Sequence, residues 1–102
     1  MKLDIRVGTI IEARWFERAK KTAYQLLVDF GSEIGVKKSS TQITDFYNLD
    51  TLVGKQVLGV VNFPPRQIAD FMSEVLILGT YSSDGVVLVR PDKEVSNGDR
   101  LG

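Results

Sequence analysis

The run LDIRVGTIIEAR at residues 3–14 constrains the fold more than any other part of the chain. Leu3, Ile5, Val7, Thr9 and Ile11 fall on one face, and Asp4, Arg6, Gly8 and Glu12 on the other. Alternation with a period of two over this length is the mark of a long, half-buried strand. Such a strand needs partners, and the chain supplies them. In AYQLLVDFG, Tyr24, Leu26, Val28 and Phe30 share one face, with Gln25 and Asp29 opposite. Gly31 to Gly35 reads as a tight connection into IGVKKSS, where Ile34 and Val36 share a face that Lys38 and Ser40 continue. KQVLGVVNF, EVLILGT and VVLVR read as further strands, the last two joined through the hairpin signal Asp84-Gly85 in YSSDG.

One stretch breaks the period. In TQITDFYNLDTLVGK, Ile43, Phe46 and Tyr47 lie at helical spacing. Ser39 with Gln42 fits a capping box, and Asp50 fits the cap of a second short turn that Gly54 ends. Three strands, a short helix and two or three strands describe an OB-fold, a five-stranded Greek-key barrel with a short helix between strands 3 and 4. An SH3-like barrel would not place a helix after its third strand. The turn-rich tail, PDKEVSNGDRLG, follows a strand that a five-stranded barrel does not require, so this C-terminal extension is expected to serve a dimer interface.

Cysteine and histidine are both absent. That removes disulfides, thiol nucleophiles, the commonest general base and the commonest metal ligand. The carboxylates are scattered, and no phosphate loop, dinucleotide fingerprint or serine-hydrolase elbow occurs. A binding protein without cofactor or metal is expected rather than an enzyme. No apolar run approaches the roughly eighteen residues of a membrane span. Asp4 and Arg6 stand where a signal peptide needs apolar residues, so the expected compartment is the cytoplasm, without integral membrane association. Formal charge is zero but unevenly spread: ten basic and seven acidic residues up to Arg66, three basic and six acidic from Gln67 onward. A neutral chain can still carry a basic face.

Three segments carry binding chemistry. Lys37-Lys38-Ser39-Ser40 with Thr41 and Gln42 offers cations for phosphates, and hydroxyls and an amide for sugars, bases or a peptide backbone. A solvated strand end with a helix cap accounts for the same residues. ARWFERAKK surrounds Trp15 and Phe16 with Arg14, Arg18, Lys20 and Lys21, a mixture that suits single-stranded nucleic acid. Either ring can instead plug one end of a barrel. NFPPRQIADFMS separates two strongly apolar strands. Pro64 and Pro65 stiffen the exit from the fourth strand, which Asn62 ends. They do not explain Arg66, whose guanidinium forks onto a phosphate or carboxylate, nor Phe71 and Ser73. Ser73 and Glu74 open the next strand, where Glu74 accepts bonds from a ligand or pairs with Arg66 or Lys38. Phe63, Phe71 and Met72 beside Gln42 and Asn62 also suit a groove for extended polypeptide.

LDIRVGTI, VDFGSEIGVKKSSTQIT, GKQVLGVVNFPPRQIADFMSEVLILG and VVLVRPDKEVSNGDRLG together resemble the tRNA-binding-domain family, and within it the CsaA-like secretion chaperones. The resemblance implies one OB-fold domain over residues 1–102 that forms a homodimer and binds tRNA or related structured RNA. For CsaA-like members it also implies binding of unfolded preproteins and cooperation with the export motor. The alternative is an RNA or synthetase accessory module without chaperone activity. The resemblance favours a binding role for Lys38, Ser40 and Gln42 and singles out Arg66; Asn62, Phe71, Ser73 and Glu74 complete the expected site. CsaA-like chains usually carry more residues before the first strand and prolines in the loop after it. Here Met1 and Lys2 lead straight into Leu3, and the loop has Glu17 and Thr22.

Overall fold

A computed structural model describes residues 2–19 and 22–102. Its main sheet has the order β3-β2-β1-β4-β7. Strand β1 spans Ile5–Trp15, β2 Tyr24–Asp29, β3 Val36–Thr41, β4 Gln56–Val60 and β7 Leu76–Ile77. All four pairings in this sheet are antiparallel. The free edges of β3 and β7 approach one another, where Ser39 Oγ donates to Val75 O at 3.0 Å. The sheet is thus a nearly closed OB-like barrel, as expected. Helix α1, Gly31–Ile34, links β2 to β3, and α2, Leu49–Leu52, lies between β3 and β4. Two small hairpins complete the fold: β5 Arg66–Ile68 with β6 Phe71–Ser73, and β8 Gly79–Ser82 with β9 Gly85–Leu88.

The core centres on β2. Tyr24, Leu26, Val28 and Phe30 are all buried, as their alternation predicts. The expected face of β1 is reversed relative to the barrel interior, although Val7 on that face is buried. Gly8 and Ile10 point inward, while Ile11 is largely exposed. The register shifts between Ile10 and Glu12, so an extra residue in β1 moves the inward positions to Ala13 and Trp15, opposite Leu26 and Tyr24. Gly8 reads as a solvent position but belongs to the interior. A Cβ there would stand 2.6 Å from Val28 Cγ1 and 2.8 Å from Phe30 Cδ1. One on Gly59 would stand 2.8 Å from Phe30 Cζ. The Phe30 ring occupies the space both glycines leave.

Strand β3 also faces the other way from its sequence pattern. Ser39 and Thr41 are buried opposite Leu26 and Tyr24, whereas Val36, Lys38 and Ser40 point outward. The two interior hydroxyls satisfy each other at 3.1 Å, and Ser39 also reaches the Val75 carbonyl. That pairing makes a polar interior position affordable. Ser39 therefore caps no helix. Residues 44–46 form a turn rather than helix, and α2 is capped by Asn48, whose Oδ1 accepts from Thr51 N while Thr51 Oγ1 accepts from Asn48 N. Asp50 lies inside the first turn instead of capping it. Tyr24 Oη donates to Tyr47 O, and Tyr47 Oη accepts from Leu88 N, which ties the turn to β2 and β9.

EVLILGT is broken at Leu78 into β7 and β8. The C-terminal tail pairs with the first half of β1: Val7 N donates to Asp99 O, Gly98 N to Val7 O and Leu101 N to Ile5 O. Arg6, on the interior side at the barrel end, bonds Asp4 and the Gly98 carbonyl. The Asp4 carboxyl is held below its ordinary value of 3.8, chiefly by the hydrogen bond from Arg6, with Arg6 and Arg100 charges adding and partial burial opposing.

Candidate nucleic-acid interface

The outer face of β2 and β3 is flanked by the β5–β6 hairpin. Pro64 and Pro65 lie between β4 and this hairpin, which turns on Ala69 at φ 53°. Its far strand then returns along the free edge of β3. That edge would otherwise expose unpaired backbone groups. Ser73 Oγ accepts from Ser40 N at 3.0 Å, and Glu74 Oε1 accepts from Lys38 N at 3.0 Å. Glu74 N donates to Lys38 O at 2.8 Å. Two side chains and one backbone amide thus complete the ladder where a neighbouring strand would. Ser73 and Glu74 hold the wall of the site, and Glu74 forms an ion pair with neither Arg66 nor Lys38 among the described residues.

Phe71 anchors the hairpin from the other side. Its ring packs against buried Phe16 at 5.4 Å between centroids, and Lys38 Nζ sits 5.6 Å from its centre. A cation over a ring face is attracted by its quadrupole. Arg18 adds an ion pair to Asp70 at the hairpin tip, 2.9 Å long. Arg14 pairs with Glu12. The basic-aromatic run after β1 is therefore partly committed to structure: Phe16 is interior, Trp15 stacks edge-on against Tyr24 with half its surface exposed, and two of its arginines are paired. Lys20 and Lys21 lie outside the described residues.

Three depressions mark this side of the molecule. One, about 170 Å³, lies beside Lys38 and Phe71 over the exposed faces of Gln25 and Leu27. A second, about 280 Å³, runs between Ser40, Arg66, Ser73 and the apolar Phe63, Pro64 and Ile68. It shares Ser40, Arg66, Ile68 and Leu76 with a third of about 390 Å³, which reaches past Gln42 to Tyr81 on β8. Of the residues expected in the site, Ser40, Gln42, Arg66, Ser73 and Glu74 line the second and third depressions, and Lys38 and Phe71 line the first, which shares no residue with them. Asn62 lines none of the three. Its side chain accepts from Asp4 N and donates to Lys2 O, fastening the start of the chain to the end of β4. Tyr81 was hidden in the sequence as part of a hairpin connection; an aromatic residue just before a turn was the one available signal. Among the described residues no group of three or more His, Cys, Asp or Glu side chains could hold a metal ion, and no helix is long and apolar enough to cross a membrane.

A barrel with strands β2 and β3 presented beside a structured loop is the architecture of an OB-fold binding module. The chain belongs to the tRNA-binding-domain family: the family model described as "Putative tRNA binding domain" matches residues 5–100. It is similar to the chaperone CsaA of Picrophilus torridus, with 51% identity, a TM-score of 0.95, and coverage of 99% of this chain and 92% of that one. It is similar also to the chaperone CsaA of Bacillus anthracis, with 46% identity, a TM-score of 0.92, and coverage of 98% and 91%. The methionine–tRNA ligase of Bacteroides fragilis is 38% identical over 102 residues, which are 99% of this chain and 15% of the ligase. The chain therefore spans about 15% of the length of that relative.

Proposed function

We propose that this protein is a non-catalytic, cytoplasmic binding module that takes tRNA or similarly structured RNA on the outer face of β2 and β3. The observation that carries this reading is the gathering of Ser40, Gln42 and Arg66 around two adjoining depressions, with Lys38 two residues from Ser40 on the outward side of β3 beside a separate one. Arg66 is exposed and has no ion pair among the described residues, so its five donors are available to a phosphate. Family membership and similarity to the tRNA-ligase module support the same ligand. Titration of total tRNA across a salt series tests it. Affinity should fall linearly on logarithmic axes, with a slope set by the phosphates neutralised. Salt-independent binding, or none at low salt, would contradict it.

A second activity, CsaA-like chaperoning of unfolded preproteins delivered to the export motor, is favoured by the apolar part of the same surface. Phe63, Pro64, Ile68 and Leu76 line the depression beside Arg66, and Met72 is exposed nearby. Apolar pockets beside strand-like polar groups fit extended polypeptide. A preprotein peptide should displace tRNA if one surface serves both; simultaneous binding would separate them and leave the accessory-module reading. The similarity to two CsaA chaperones supports this reading.

The module acts as a homodimer in this proposal. Pairing places Leu101, Ile5, Val60 and Leu76 in one cross-strand row, in which Val60 is buried and Leu101 and Leu76 at the ends are half exposed. Two modest sites then gain avidity on one long ligand. Light scattering should show Leu76→Asp shifting the protein to monomer; an unchanged mass would refute this interface.

A further inference from the structure

Tyr81 is 95% exposed, far more than any other large apolar or aromatic side chain of the described residues. It is not a frayed residue. It lies within β8, opposite Val86 of β9. The turn that follows is locked by Ser82 Oγ donating to Gly85 O at 2.8 Å. At the base of the hairpin, a Cβ on Gly79 would stand 2.6 Å from Val86 Cγ1, so the strands are in close contact there. The hairpin is ordered, and it holds out a phenol ring that finds no aromatic partner and no hydrogen bond among the described residues.

The direction of this ring matters. Gly79 and Tyr81 share a face of the hairpin with Leu88 and Val86, and Leu88 is part of the barrel core. Tyr81 therefore continues the interior face past the end of the barrel, and it lines the largest depression together with Gln42 and Arg66. All three side chains are exposed and make no side-chain hydrogen bond or ion pair among the described residues. One presents a π-face, one an amide that can match a base edge, and one a guanidinium that can fork onto a phosphate. A flat heterocycle joined to a phosphate uses all three.

We propose that Tyr81 is the stacking platform for an unpaired nucleobase, with Gln42 beside it for the base edge and Arg66 for the adjoining phosphate. This rests on the RNA reading above and narrows it. The surface would take RNA that offers a splayed base, such as a loop or a single-stranded end, and not a continuous duplex, whose bases are stacked within the helix. Base–aromatic stacking tolerates any base, so the contact adds affinity without imposing a sequence.

The test compares two probes, total tRNA and a fully paired RNA duplex, against wild type, Tyr81→Ala, Tyr81→Leu and Tyr81→Phe. Because Tyr81 is almost wholly exposed, the variants should keep the wild-type melting temperature. Tyr81→Ala and Tyr81→Leu should weaken tRNA binding by about tenfold or more and leave duplex binding unchanged, with Tyr81→Phe close to wild type. Equal losses on both probes, or no loss on tRNA, would each overturn the assignment. Wild-type protein that binds no tRNA at low salt would overturn the RNA reading itself and this inference with it.

Discussion

Phe30, directly after β2, and the free edge of neighbouring β3 are held by different means. Phe30 fills the space above Gly8 and Gly59, and its partners are chosen by shape. At the edge of β3, Lys38 and Ser40 keep their backbone bonds through Ser73 and Glu74 of the adjoining hairpin. A packed interior resists small changes strongly, because voids and overlaps both cost free energy. An edge closed by a few polar side chains is cheaper to alter and leaves its outward face free for a ligand. The fold thus separates a rigid barrel from a surface whose chemistry can vary.

The sharpest break in this contrast is Phe30→Ala. It should lower stability by about 3–5 kcal/mol in chemical denaturation, while the fraction that remains folded keeps its affinity for tRNA. Gly59→Ala should destabilise by about 1–3 kcal/mol, since the new methyl meets the Phe30 ring. The surface should answer in the opposite way. Arg66→Ala should weaken tRNA binding about tenfold and reduce the salt slope by about one, with no change in melting temperature. A stability loss without an affinity loss would make Arg66 part of the scaffold.

Sequence reading reached these two regions unequally, and the reasons are local. The alternation of Tyr24, Leu26, Val28 and Phe30 identified β2 because its inward face is uninterruptedly apolar, although Leu27 stands among the outward residues. The face of β1 was misjudged because glycine carries no polarity signal and because the extra residue near Ile11 shifts the period midway. In β3, paired hydroxyls let Ser39 and Thr41 enter the interior, so a polar pattern concealed buried positions. The β5–β6 hairpin was invisible since its turn uses Ala69 and Asp70 instead of glycine or asparagine. Charges at Lys38 and Arg66 were legible as binding chemistry. The edge-capping task of Ser73 and Glu74 was not, because it depends on contacts more than thirty residues apart.

Ser73→Ala sharpens the comparison at its boundary. It leaves Ser40 N–H without its partner and should cost about 1 kcal/mol of stability. Its effect on tRNA affinity should be smaller than that of Arg66→Ala. Equal effects would mean that the edge cap itself contacts RNA. The smallest expected change concerns Asp4, whose folded-state acidity is strengthened by Arg6. A carboxyl with a lowered folded value stabilises the fold fully above its unfolded value, and that contribution fades as pH falls through the folded value. Acid unfolding below about pH 4 should therefore become less steep in Asp4→Asn, with neutral-pH tRNA binding unaltered.

Amide-resolved NMR titration with tRNA tests the central claim most directly. The outer face of β2 and β3 should respond first, with the largest shifts at Lys38, Ser40, Gln42, Arg66 and Tyr81. The separate depression lined by Gln56, Arg90 and Lys93 should stay unchanged. Shifts confined to that separate depression, with Lys38 to Gln42 and Arg66 silent at saturation, would contradict the account.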